Sequence, residues 1–162
     1  MGRRSRSDCP SETPALRSHG EGWTRLPMAE DARPGVLFVD DDPRVLSAIV
    51  RSLRREPFRL ETASDAREAI QRLQGGRFEL VVSDQRMPGS TGIELLCQVR
   101  ARWPSTRRIL LSGWTSGISR HELEAADLFR LLAKPWDEGE LRSAIREAVG
   151  AGCSGARDGR AS

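Results

Sequence analysis

Between residues 35 and 149, short runs made only of apolar residues alternate with longer stretches whose apolar residues recur every three or four positions. This alternation limits the possible folds more than any other feature of the chain. Val36-Leu37-Phe38-Val39 has no polar member, which suits a strand covered on both faces and not one with a wet side. Phe78-Glu79-Leu80-Val81-Val82, Ile109-Leu110-Leu111 and Leu128 to Ala133 resemble it, whereas Phe58-Arg59-Leu60-Glu61-Thr62 alternates as a half-exposed edge strand does. Helical stripes fill the intervals: Val45, Leu46, Ile49, Val50 and Leu53; Ala66, Ala69, Ile70 and Leu73; Ile93, Leu96, Val99 and Trp103; Leu141, Ile145 and Val149. A weaker helix spans Ser119 to Ala126. Gly75-Gly76 closes one helix, and Pro43 and Pro104 punctuate others.

Strict alternation of strand and helix predicts an α/β fold, a doubly wound five-stranded parallel sheet with right-handed crossovers and helices on both faces. The expected strand order is the flavodoxin-like 2-1-3-4-5. In such folds ligands sit beyond the carboxyl ends of the strands, so the polar residues that follow each apolar run are the ones to inspect.

The rest of the 162-residue chain bounds the reading. Residues 1–34 are rich in Arg, Ser, Pro, Gly and Glu and lack apolar periodicity, so they are expected to be disordered, as is the tail 150–162. Met28 offers a second start of translation. No apolar run approaches the roughly 20 residues that cross a bilayer, which predicts a cytoplasmic protein with no membrane contact. Cys9, Cys97 and Cys153 fit neither a disulfide framework nor a zinc pattern and read as free thiols, Cys97 in a helix and the others in tails. A net charge of +3 gives no field on the nucleic-acid scale, and no nucleic-acid partner is expected. Trp103, Trp114 and Trp136 read as packing or rim residues, because no basic residues interleave with them as in a base-stacking platform. His121 reads as a surface helix residue.

The first apolar run ends in Asp40-Asp41-Asp42, the third in Ser83-Asp84, the fourth in Ser112-Gly113 and the fifth in Lys134-Pro135. With strands one and three adjacent, Asp40, Asp41 and Asp84 share one site. Three carboxylates that close repel one another by several kcal/mol unless a cation intervenes. An all-oxygen ligand set favours a hard ion such as Mg²⁺. Lys134, the only lysine in the chain, and the Ser112 hydroxyl supply a charge and a donor for an anionic group opposite the metal. That equipment suits phosphoryl transfer, with Asp84 as the nucleophile forming an acyl phosphate. Asp42, directly before Pro43, reads as a helix cap instead.

The strings VLFVDDDP, LVVSDQRMPGSTGIELL, ILLSG and LLAKPWDEGEL resemble the receiver domain of bacterial response regulators, the CheY-like fold, over roughly residues 35–149. DQRMPG and KPWD look especially like receivers joined to cyclic-di-GMP phosphodiesterase or enhancer-binding modules. The resemblance implies that Asp84 accepts a phosphoryl group from a phosphohistidine on a sensor histidine kinase or phosphotransfer protein. It implies that Asp41 binds Mg²⁺ directly, Asp40 mainly through water, and the backbone carbonyl of Arg86 completes the protein ligands. Ser112 matches the switch hydroxyl and Lys134 the phosphate-binding lysine. The expected function is a stand-alone, single-domain response regulator that signals through phosphorylation-dependent protein contacts, a switch and not a turnover enzyme.

Two features depart from that pattern. Leu131 stands at the strand-five switch position where the family carries an aromatic residue, and the chain contains no tyrosine, so an aromatic flip is excluded there. Arg86 and Trp114 occupy the two positions that tune hydrolysis of the acyl phosphate, and their bulk predicts a long-lived phosphoryl group. Leu131 and the short stretch between Gly113 and Lys134 leave open a second reading, an interaction adaptor that keeps the fold without using phosphorylation. A flavin or nucleotide binder is a remote third, since no GxGxxG follows the first apolar run.

Overall fold

The computed structural model describes residues 32–114 and 117–154. Five parallel strands, β1 (Gly35–Val39), β2 (Arg59–Ala63), β3 (Leu80–Asp84), β4 (Arg107–Ser112) and β5 (Arg130–Ala133), form one sheet in the order β2-β1-β3-β4-β5. The expected order of the sheet is the observed one. Helices α1 (Pro43–Leu53), α2 (Ala66–Gly75), α3 (Gly92–Arg102), α4 (Arg120–Ala126) and α5 (Glu138–Ser154) connect or follow the strands. All of these elements fall within the unit Arg33–Ser162.

Alternate residues of each central strand feed two separate cores, which is why the middle of each of those strands is mostly apolar; Arg108 in β4 is a buried exception. Val36, Phe38, Leu80, Val82, Ile109 and Leu111 pack with α1 and α5 through Ile49, Leu53, Leu141 and Ile145. Leu37, Val39, Val81 and Leu110 pack on the other face with α2 and α3 through Ala69, Leu73, Ile93 and Leu96. Each fully buried aliphatic side chain contributes roughly 1.5–3 kcal/mol of transfer free energy, so the inner strands carry much of the stability.

The helices start where side chains can serve their orphan amides. Asp42 caps α1 by accepting from the Arg44 N–H at 2.8 Å, ahead of Pro43 at the first turn. Asp65 accepts from the Glu68 N–H at 2.8 Å for α2. Thr91 with Glu94, and Ser119 with Glu122, form reciprocal capping boxes for α3 and α4.

Several boundaries differ from the sequence expectation for identifiable reasons. β3 starts at Leu80 and not at Phe78, whose carbonyl accepts the Thr106 hydroxyl at 2.8 Å. β5 starts at Arg130, two residues after Leu128, because Asp127 ends α4 in the left-handed conformation (φ 48°) and the chain needs that length to realign. The helix expected near Ser119 is seven residues long. α5 runs to Ser154, past residue 149, and its backbone includes Cys153, which was expected in a tail. The expectations for residues 1–31 and 155–162, including Met28 and Cys9, lie outside the described residues. Among the described residues no helix is long and apolar enough to cross a membrane.

Candidate phosphoacceptor and metal site

The carboxyl ends of β1 and β3 lie side by side, with Val39 in register with Ser83. Asp40 therefore leaves β1 beside Asp84 at the end of β3. Asp40, Asp41 and Asp84 each offer a carboxylate oxygen within 4.8 Å of the others. Asp40 and Asp84 are 2% and 5% exposed, while Asp41 is open to solvent.

The partners of these carboxylates are few. Asp40 Oδ1 accepts from the Asp42 N–H at 2.9 Å, and Asp40 Oδ2 is buried with no hydrogen-bond partner. Burial pushes the Asp40 carboxyl above its ordinary range, the Asp42 amide pulls it back, and the neighbouring Asp84 charge raises it again. Asp84 Oδ2 accepts from the Arg86 N–H at 2.9 Å, and Asp84 Oδ1 pairs with the Lys134 ammonium. One cation against three clustered acids leaves an excess of negative charge around a stranded oxygen, and hard oxygen donors of this kind match Mg²⁺. The residues present therefore fit a divalent cation.

Each expected residue has a definite place. Lys134 reaches the site from the end of β5, where its own amide donates to the Ser112 carbonyl at 2.8 Å and its ammonium lies 5.3 Å from the centre of the Trp136 ring. The main chain of Arg86 lies against Asp84 while its side chain is exposed. The Ser112 hydroxyl is buried but turned toward its own loop, donating to the Trp114 carbonyl at 2.8 Å and accepting from the Trp114 N–H at 3.1 Å. Trp114 is 73% exposed. Leu131 is half-buried, opposite Leu110 in the sheet and packed against the α2–α3 core. The structure thus unites Asp40, Asp41, Asp84 and Lys134; no hydrogen bond joins the Ser112 hydroxyl to them.

Three supporting residues escaped sequence reasoning. Gln85 holds the loop after Asp84: its side-chain oxygen accepts from the Ile93 N–H at 2.9 Å and its carbonyl from the Gly92 N–H at 3.0 Å. Gly92 is required by a close approach, since a Cβ there would lie 2.2 Å from the Asp84 carbonyl oxygen. The Ser83 hydroxyl donates to that same carbonyl at 3.0 Å. Ser83 stands among the polar strand ends and Gly92 between a helix cap and an apolar stripe, whereas Gln85 left no signal.

Residues 36–146 match the family model described as the response regulator receiver domain. The chain belongs to the response regulator receiver family. Receivers are phosphorylated by sensor kinases and bind Mg²⁺ at an acidic site. The receiver sequence is 39% identical over 125 residues to the hydrogenase transcriptional regulatory protein HoxA of Cupriavidus necator, a match covering 74% of this chain and 25% of HoxA. It is 28% identical over 118 residues to the response regulator PilR of Pseudomonas aeruginosa, covering 73% and 26%. The chain thus spans about a quarter of the length of these curated relatives. Among solved structures, the signal receiver domain of an HD domain-containing protein from Pseudomonas fluorescens Pf-5 matches with a TM-score of 0.72 at 31% identity, covering 83% of this chain and 98% of that one. TrrA of Thermotoga maritima, solved in complex with Mg²⁺-BeF, matches with a TM-score of 0.64 at 25% identity, covering 71% and 98%.

Proposed function

We propose that Asp84 is the phosphoacceptor of a two-component or phosphorelay pathway, receiving a phosphoryl group from a phosphohistidine on a sensor histidine kinase or phosphotransfer protein. The observation that carries this reading is the buried acid pair Asp40 and Asp84, with one oxygen of Asp40 stranded and Lys134 paired to Asp84. A carboxylate oxygen of Asp84 attacks phosphorus, the P–N bond to the donor imidazole breaks, and an acyl phosphate forms. Asp40, Asp41, Asp84 and the Arg86 carbonyl are the residues to hold Mg²⁺, which supplies neutralisation of the phosphoryl oxygens when bound. Lys134 keeps its ammonium on the site and follows the charge from the carboxylate to the new phosphoryl group.

The role is that of a switch with at most slow self-dephosphorylation. Arg86, two residues after the acceptor, and Trp114, two residues after the end of β4, restrict the approach of water and prolong the acyl phosphate. Ser112 serves as the switch hydroxyl, which requires it to give up both of its bonds to the Trp114 main chain. Downstream signalling proceeds through protein contacts. Leu131, aliphatic and half-buried, favours one alternative, an adaptor whose contacts do not depend on phosphorylation.

Intact-mass measurement after incubation with Mg²⁺ and acetyl phosphate tests the proposal. One added phosphoryl group of about 80 Da is expected, absent from Asp84→Asn and from a metal-free control. Unaltered addition in Asp84→Asn refutes Asp84 as the acceptor.

A further inference from the structure

The end of the sheet opposite the acidic site is lined with arginine. In a parallel sheet all strands begin at one edge, and Arg59, Arg107 and Arg130 are the first residues of β2, β4 and β5, while Arg77 leads into β3. Aromatic rings interleave with them in space and stand beside them in the chain, as Arg77-Phe78, Arg102-Trp103 and Phe129-Arg130. The Arg59 guanidinium lies 5.2 Å from the Phe78 ring centre, Arg102 4.7 Å from Trp103, and Arg107 and Arg130 5.1 and 5.9 Å from Phe129.

The rim is a constructed feature. Arg59 donates to the Arg77 carbonyl at 2.7 Å, passing so close to Gly35 that a Cβ there would lie 2.7 Å from the guanidinium and 2.6 Å from that carbonyl. Three of the arginines have carboxylates of their own: Arg59 with Glu61, Arg77 with Glu79 and Arg130 with Glu147. Arg102 and Arg107 have no carboxylate partner among the described residues. Both are held against rings, which lowers the entropy lost when a planar guanidinium receives a carboxylate. Beside them a cleft of about 210 Å³ is lined by Leu73, Phe78 and Trp103 and by the polar Thr106, Arg107 and Glu79, the last paired with Arg77.

We propose that this arginine–aromatic rim is a second docking surface, separate from the phosphoacceptor end, and that it takes an acidic peptide segment of a partner protein. Two carboxylates of the peptide meet Arg102 and Arg107, and a leucine-sized or aromatic side chain fills the cleft. Charge complementarity selects the partner's sign, and the cleft selects against a uniformly charged one. Nucleic acid fits less well. Each ring already carries a guanidinium, which leaves less stacking surface for bases, and only two arginines of the rim lack a carboxylate partner among the described residues, too few for a phosphate tract.

The test uses the full chain and fluorescence anisotropy with short labelled peptides that combine several glutamates with one leucine or phenylalanine. Peptides of glutamate and serine, and an oligouridylate, serve as comparisons. The acidic–apolar peptides should bind more tightly than either, and Arg102→Glu with Arg107→Glu should weaken them at least about tenfold. Arg120→Glu, a reversal on an exposed α4 arginine, should leave binding unchanged, and circular dichroism verifies that the double variant is folded. Absence of binding, binding indifferent to the double reversal, or tighter binding of the oligouridylate would each overturn the proposal. Asp84→Asn should bind these peptides as the native chain does, so the outcome is independent of whether Asp84 is the phosphoacceptor.

Discussion

Removing one negative charge from the acidic site should make the metal-free protein more stable. Asp40 is 2% exposed, its Oδ2 has no partner, and Asp84 stands beside it. Asp40→Asn keeps an oxygen for the Asp42 amide, and places a donor NH₂ where the stranded oxygen meets its acidic neighbours. An unsatisfied buried polar atom costs about 1–3 kcal/mol, more when charged, so a gain of about 1–3 kcal/mol is expected, several degrees in Tm for a domain of this size. The sign with pH follows from the raised Asp40 pKa. Its native form favours the proton, so native-chain stability falls as pH rises through the shifted range, and Asp40→Asn removes that slope. Urea unfolding in EDTA, followed by tryptophan fluorescence across that range, measures both. Added Mg²⁺ should raise the urea midpoint of the native chain through linkage and leave Asp40→Asn nearly unmoved. A variant less stable than the native chain in EDTA at neutral pH would refute the reasoning, because Asp40 would then be a satisfied structural acid.

Further outcomes follow from the same geometry. Gly92→Ala drives a methyl group into the Asp84 carbonyl; it should cost roughly 1–3 kcal/mol in urea unfolding and slow phosphorylation by acetyl phosphate, since α3 must withdraw from the acceptor strand. Glu68 accepts from Ser64 and Arg72, which hold its carboxyl down at about 2. Its stabilisation is complete above the ordinary glutamate range and is lost as pH falls toward about 2, so urea midpoints of Glu68→Gln and the native chain should converge in acid and separate above it. Arg86→Ala and Trp114→Ala should each shorten the phosphoryl lifetime severalfold, read by the decay of intact mass after the donor is removed; unchanged decay in both would exclude them as a barrier to water.

The parts of this molecule legible in its sequence are those governed by local pattern. Apolar runs marked the inner strands because both faces of those strands are covered, and polar residues at their ends marked Asp40, Asp41, Asp84 and Lys134. What the pattern did not disclose depends on contacts distant in sequence. Phe78 reads as strand, yet Thr106 takes its carbonyl. Arg108 lies within β4 and is buried, its Nε donating to the Ala126 carbonyl at 2.7 Å; no local signal separates it from exposed Arg102. The turn of the Ser112 hydroxyl toward Trp114 depends on loop geometry that residue types alone do not encode. The arginine rim is likewise a product of topology, assembled from strand starts far apart in the chain.

The central claim, that Asp84 is the metal-dependent phosphoacceptor, is tested most directly by borohydride trapping. Borohydride reduces an aspartyl phosphate to homoserine, which peptide mass spectrometry locates by position. The account predicts homoserine at position 84 after treatment with Mg²⁺ and a phosphodonor, and none at Asp40, Asp41 or Asp42 or when the metal is withheld. Homoserine at another aspartate, or at none while the donor still adds mass to the chain, would contradict it.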